Sequence, residues 1–187
     1  HIELALEVDF KRAHRLKSFN RRQVAYQRVG VYGKLAVGIG THAGRVAWDF
    51  CHHLTPELLR RPDWLDHPNG ATGLAACTIV ARDPAALAER LGLIFGSGSL
   101  TGTDRVTAVH TGGAVLLLAG LDDAQHLHPG FTIEPAGSAA RLEVLAVRVR
   151  DPDAAADLLR RGDVPHRRDA AGAVLVQPEH ATGVALE

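Results

Sequence analysis

The groups in this 187-residue chain able to do chemistry are eleven histidines, two cysteines and two phrases that end in glutamate. In Gly130-Phe131-Thr132-Ile133-Glu134 and Gly183-Val184-Ala185-Leu186-Glu187 the carboxylate falls four residues after a glycine, at the end of an apolar run. Carboxylate and imidazole together suit Zn, Ni, Fe or Mn and leave positions open for substrate. His52 and His53 follow the strand-like R-V-A-W-D-F-C and precede Thr55-Pro56-Glu57, an N-cap and N1 proline that open a short helix. That places Trp48 and at least one of His52 and His53 where they could face a cleft, although the two histidines read more readily as a helix-entry loop. His126 and His128 flank a Leu before Pro129, within Gly, Asp and Pro punctuation that marks a surface loop. His67 opens H-P-N-G, a turn.

Other chemistries find no support in the pattern. The chain has no nucleophile elbow, phosphate loop or dinucleotide fingerprint, and the glycines of G-S-G-S-L-T-G, residues 96–102, follow a helix where a phosphate loop would precede one. They read as turn formers. Cys51 adjoins His52, yet neither Cys51 nor Cys77 lies beside a helix start that would depress its pKa. Two sparse thiols point to a reduced, cytoplasmic protein. Lys and Arg total 21 against 21 Asp and Glu, so no net field draws the chain to nucleic acid or an anionic membrane. Apolar runs such as Ala114 to Leu118 are far short of the roughly 20 residues of a membrane span.

The elements that must position these groups recur. T-I-V-A-R-D-P-A-A-L-A-E-R-L-G from Thr78 returns as V-R-V-R-D-P-D-A-A-A-D-L-L-R-R-G from Val147. In each, a β-branched run ends at an Asp able to cap the next helix, Asp83 or Asp151, with Pro at N1 and a Gly stop. A weaker third copy starts at Ile2 and turns at Asp9. Three strand-like segments follow each helix and no second helix intervenes. After Asp9 they centre on Tyr26, Val37 and Trp48. After Asp83 they centre on Val109, Leu116 and the phrase ending at Glu134, and after Asp151 on His166, Leu175 and the phrase ending at Glu187. One helix per four strands predicts an α+β protein of βαβββ modules, with mixed curved sheets and helices on the outer face.

A βαβββ repeat of this length resembles the vicinal oxygen chelate superfamily of glyoxalases, extradiol dioxygenases and bleomycin-resistance proteins. The phrase C-H-H-L-T-P-E-L-L-R-R-P-D-W-L-D-H-P-N-G-A, residues 51–71, is similar to the linker of the bacterial glyoxalase-like domain family. The resemblance implies a module at 1–50, a linker at 51–71 and paired modules at 72–135 and 139–187 that enclose a cleft. It also implies divalent-metal ligands on first and fourth strands. Glu134 and Glu187 match the fourth-strand position, while the first-strand positions hold Ala76 and Val144. His110, His126, His128 or His180 could complete such a site only by facing inward.

Two functions follow from the resemblance. One is a metal-dependent lyase or dioxygenase acting on a small oxygenated molecule. The other is a metal-free protein that sequesters a small molecule in the cleft, as resistance proteins do. The chain lacks Met and opens in mid-strand, and the resemblance implies a further βαβββ module before it. Leu4, Leu6, Val8, Val37 and Val46 would then be covered by that module or by the partner in a homodimer.

Overall fold

The computed structural model describes residues 3–8, 35–42 and 45–52 by their backbone course, together with residues 62–135 and 140–187. Three antiparallel strands come first: β1 (Glu3–Val8), β2 (Leu35–His42) and β3 (Arg45–His52). They form a meander in which Leu6 pairs with Val37 and Val37 with Phe50. Two of the strands expected after Asp9 are thus present. The segment around Tyr26, the helix expected from Thr55 and the side chains of Leu4, Leu6, Val8, Val37 and Val46 lie outside the described residues. A short helix, α1 (Pro62–Leu65), leads to the H-P-N-G turn, where the Gly70 N–H donates to His67 O and Asn69 Oδ1 accepts from the Ala71 N–H.

The repeat beginning near Thr78 builds β4 (Ala71–Val80), α2 (Pro84–Phe95), β5 (Leu100–Gly102), β6 (Val106–His110) and β7 (Val115–Ala119). Asp83 caps α2 by accepting from the Ala86 N–H, and Pro84 occupies the first turn, where its missing N–H costs nothing. The later repeat builds β8 (Arg141–Val149), α4 (Pro152–Arg161), β9 (Arg167–Arg168), β10 (Val174–Leu175) and β11 (Ala185–Leu186). Asp151 caps α4 through the N–H groups of Asp153 and Ala154.

Both repeats thread alike. In the first, the strands lie in the order β4, β7, β6, β5, with β7 parallel to β4. In the second, β11 lies parallel to β8, Val176 bridges Leu186, and β9 forms a hairpin with β10. Each repeat therefore runs first strand, last strand, third, second. The two first strands pair antiparallel at the centre of a six-stranded mixed sheet, with Cys77 opposite Leu145 and Ala76 opposite Ala146. The predicted α+β class holds. Leu91, Ile94 and Phe95 of α2 pack on Cys77, Ile79, Leu116 and Leu118, which defines the helix face of the sheet.

The expected strand at Phe131–Glu134 is not a strand, and an unforeseen helix precedes it. Gly120 ends β7, and Leu121–Leu127 forms α3, with Asp122 and Asp123 in its first turn favoured by the helix dipole. Phe131 and Ile133 are buried while Thr132 and Glu134 are exposed, an alternation that imitates a strand. Their backbone groups are nevertheless taken by one side chain. Gln125 Nε2 donates to Phe131 O at 2.5 Å, and Gln125 Oε1 accepts from the Ile133 N–H at 3.0 Å. The strand that takes its place in the repeat is the three-residue β5, inside the glycine run read as turns. Gly102 pairs with Thr107 there, and a Cβ at this position would sit 2.7 Å from Val106 O.

Candidate functional site: a Thr–His–Glu chain on the inner face

Alternation along the strands assigns the side chains opposite the helix face. On β4 these are Ala76, Thr78 and Val80, since Cys77 and Ile79 point toward α2. Their ladder mates follow: Val115, Leu117 and Ala119 on β7, and Val144 and Ala146 on β8. One end of this inner face is filled. Ala124 of α3, Phe131 and Ile133 pack on Val80, Ala119, Val144, Leu175 and Ala185. The other end, at Ala76, Val115, Leu117 and Ala146, is half-buried.

A polar chain marks the border between the two. Thr78, only 1% exposed, places Oγ1 2.8 Å from His128 Nε2. His128 Nδ1 lies 3.0 Å from Glu187 Oε2. His128 reaches this position because it ends α3, its N–H donating to Ala124 O, and because the next turn closes with the Phe131 N–H on His128 O. Gln177 secures the turn by donating to Gly130 O at 3.0 Å. Glu187 extends the β11 ladder by one residue, since its N–H donates to Leu145 O and its O accepts from the Val147 N–H, which sets it opposite Ala146.

The tautomer of the imidazole sets the direction of the chain. An ionised carboxylate only accepts, so Nδ1 carries the proton shared with Glu187. In the neutral imidazole Nε2 then accepts, and the Thr78 hydroxyl donates to it. The imidazole side chain is 9% exposed and the carboxylate 32%, so the chain runs from a buried hydroxyl to an accessible oxyanion.

The approximate two-fold relation between the repeats tests whether a metal fits. Leu117 lies opposite Thr78 on β7, as Glu187 lies opposite Ala146 on β11, so Leu117 occupies in the first repeat the place that Glu187 holds in the second. Ala76 and Val144 hold the first-strand places. One of the four positions has a donor, and that carboxylate is engaged by His128. Among the described residues no group of three or more His, Cys, Asp or Glu is placed to share a metal ion. Among the described residues, those at the four related positions do not fit the metal that the resemblance implied.

The expected site residues disperse accordingly. Glu134 is exposed and off the ladder, so it does not occupy the fourth-strand position that paired it with Glu187. His110 does lie on the inner face, opposite Val115 on β6, but it is exposed and bonded to Thr101 Oγ1 through Nε2 at 2.8 Å. His126, placed in a loop by the sequence, lies in α3 with Nδ1 2.5 Å from Asp122 O. His180 is exposed. Trp48 and His52 fall on β3, and their side chains, like all of His53, lie outside the described residues. A shallow cavity of about 330 Å³ at the start of β4 is lined by Leu65, His67, Ala71, Thr72, Gly73, Leu74 and Val147, and by none of Thr78, His128 and Glu187.

A second buried carboxylate lies at a bulge in β8. Thr78 pairs with Val144 and Ile79 with Leu142, which leaves Glu143 as the extra residue. Glu143 is 5% exposed, and burial pushes its pKa above the ordinary carboxylate value, Arg141 opposing the shift and Glu134 adding to it. Arg141 Nε is 2.9 Å from Glu143 Oε1 but off the line of a hydrogen bond, and neither atom has another partner among the described residues.

No family model matches the chain, and no curated protein does. Among solved structures it is similar to methylmalonyl-CoA epimerase from Mycobacterium tuberculosis, at 22% identity and a TM-score of 0.40, covering 63% of this chain and 86% of that one.

Thr78 and the role of His128 were not legible in the sequence. Thr78 sits in an apolar run, C-T-I-V, where a hydroxyl passes for a β-former. The usable signal was that a buried threonine needs a partner. Identifying that partner required the unforeseen helix.

Proposed function

We propose that this chain is a small-molecule binding protein of the vicinal oxygen chelate type that works without a resident metal. The ligand would rest on the half-buried inner face beside Glu187. The observation that carries this reading is the donor set: of the four positions related by the internal repeat, Ala76, Val144 and Leu117 have no ligand atom and Glu187 is held by a histidine. The twofold βαβββ threading around β4 and β8 supports the superfamily assignment. The half-buried Ala76, Val115, Leu117 and Ala146 supply an apolar floor, the usual character of a small-molecule site.

Amide NMR spectra of protein purified without chelators, titrated with small aromatic fragments and repeated after EDTA treatment, test the reading. The expected result is a cluster of shifts at Ala76, Leu117, Ala146 and Glu187 that EDTA does not alter. Stoichiometric metal lost to EDTA together with those shifts would overturn it, as would shifts confined to other surfaces.

A further inference from the structure

We propose that Glu187, set by the His128–Thr78 chain, anchors the cationic nitrogen of a small apolar amine; this rests on the inner face being the binding surface. Among the described residues only Oε2 of Glu187 is engaged, and a side chain 32% exposed leaves its other oxygen accessible to a ligand. The imidazole side chain lies almost wholly out of solvent, and its other nitrogen is tied to the buried Thr78 hydroxyl. The carboxylate orientation is therefore fixed before any ligand arrives, so little ordering cost remains to be met on binding.

Charge selects the occupant. Among the described residues the only ion partner of Glu187 is His128, which engages Oε2 alone through Nδ1. Arg148 falls on the same face two residues beyond Ala146, is exposed, and makes no ion pair with Glu187. An anion brought against the carboxylate itself would be repelled by it. A neutral alcohol would gain one ordinary hydrogen bond. An ammonium gains a charge-assisted bond while its apolar part covers Ala76, Leu117 and Ala146. In this scheme Thr78 and His128 are positioning residues, and Glu187 is the group that touches ligand.

The test uses three probes of similar shape: benzylamine, protonated at neutral pH, benzyl alcohol and phenylacetate. Each is titrated into the protein and followed by amide shifts on the inner face. We expect benzylammonium to bind best and Glu187→Gln to weaken it by about tenfold. Glu134→Gln should leave the affinity unchanged. Thr78→Val should weaken benzylammonium by a smaller factor, and Thr78→Ser should restore it, a rescue that a merely space-filling threonine would not show. Dispersed amide spectra establish that each variant is folded. Equal binding of the alcohol or of phenylacetate at this face, or full affinity in Glu187→Gln, overturns the amine proposal and leaves the binding-protein reading standing. Absence of shifts at the inner face with all three probes overturns both.

Discussion

Gly130 and Leu175 meet so closely that a Cβ on the glycine would lie 2.5 Å from Leu175 Cδ1. Leu175 is 4% exposed and packs with Phe131, so it has little room to withdraw. This contact seats the turn that carries His128 on the later repeat, and thereby joins the segment after α3 to β10.

Gly130→Ala should accordingly destabilise the protein by about 1–3 kcal/mol, the cost of overpacking a close-packed site. It should also disturb the histidine chain, because Gly130 lies only two residues beyond His128, inside the turn that the Phe131 N–H closes on His128 O. Chemical denaturation measures the first effect. The ring-nitrogen NMR signals of His128 measure the second, and unchanged signals in a destabilised variant would separate the turn from the chain.

Burial of Glu143 predicts a pH dependence of stability. Its folded pKa is raised above the unfolded value, so the native state keeps a proton that the unfolded chain releases above about pH 4.3. Native protein then binds more protons than unfolded, and stability falls as pH rises through that window toward the folded pKa. Glu143→Gln should flatten this slope and raise stability near neutral pH by on the order of 1 kcal/mol. Thermal melts across the acidic range compare the two slopes. A variant that tracks the parent at every pH would contradict the assignment.

Cys77 offers a report on global opening. Its side chain is wholly buried against α2, and burial pushes the thiol up to about 11. At about pH 8.5, where a free thiol is half ionised, native Cys77 should resist iodoacetamide and become labelled only as the sheet unfolds. Peptide mass spectrometry reads this residue separately from Cys51. Rapid labelling under native conditions would show that the centre of the sheet opens locally.

Local signals in the sequence proved reliable where one residue type has one physical job. The Asp-Pro caps at 83–84 and 151–152 and the turn at H-P-N-G stand where the residues place them, because each answers an immediate backbone requirement. The alternation of Phe131 to Glu134 misled because period two reports which side chains are buried, not what satisfies the backbone. A glutamine six and eight residues away took the bonds that a strand would have given to a neighbour. The expected pairing of Glu134 with Glu187 is absent for a related reason. Glu134 and Glu187 share a phrase but not a place in the fold, and their roles diverge once α3 is inserted before one of them. The Thr78–His128 contact joins residues 50 apart, beyond the reach of any local pattern.

The pairing of β4 with β8 has a consequence for how the protein assembles in time. Within each repeat the first strand is covered on one side by its own last strand, so this much can form from nearby chain. The opposite edge of β4 stays bare until the later repeat arrives, and the same is true of β8. An exposed strand edge is a template for whichever complementary strand reaches it first. At low concentration that is the other half of the same molecule. A neighbouring copy would present the same edges with equal geometry, so any exchange of halves between two chains would run through this seam.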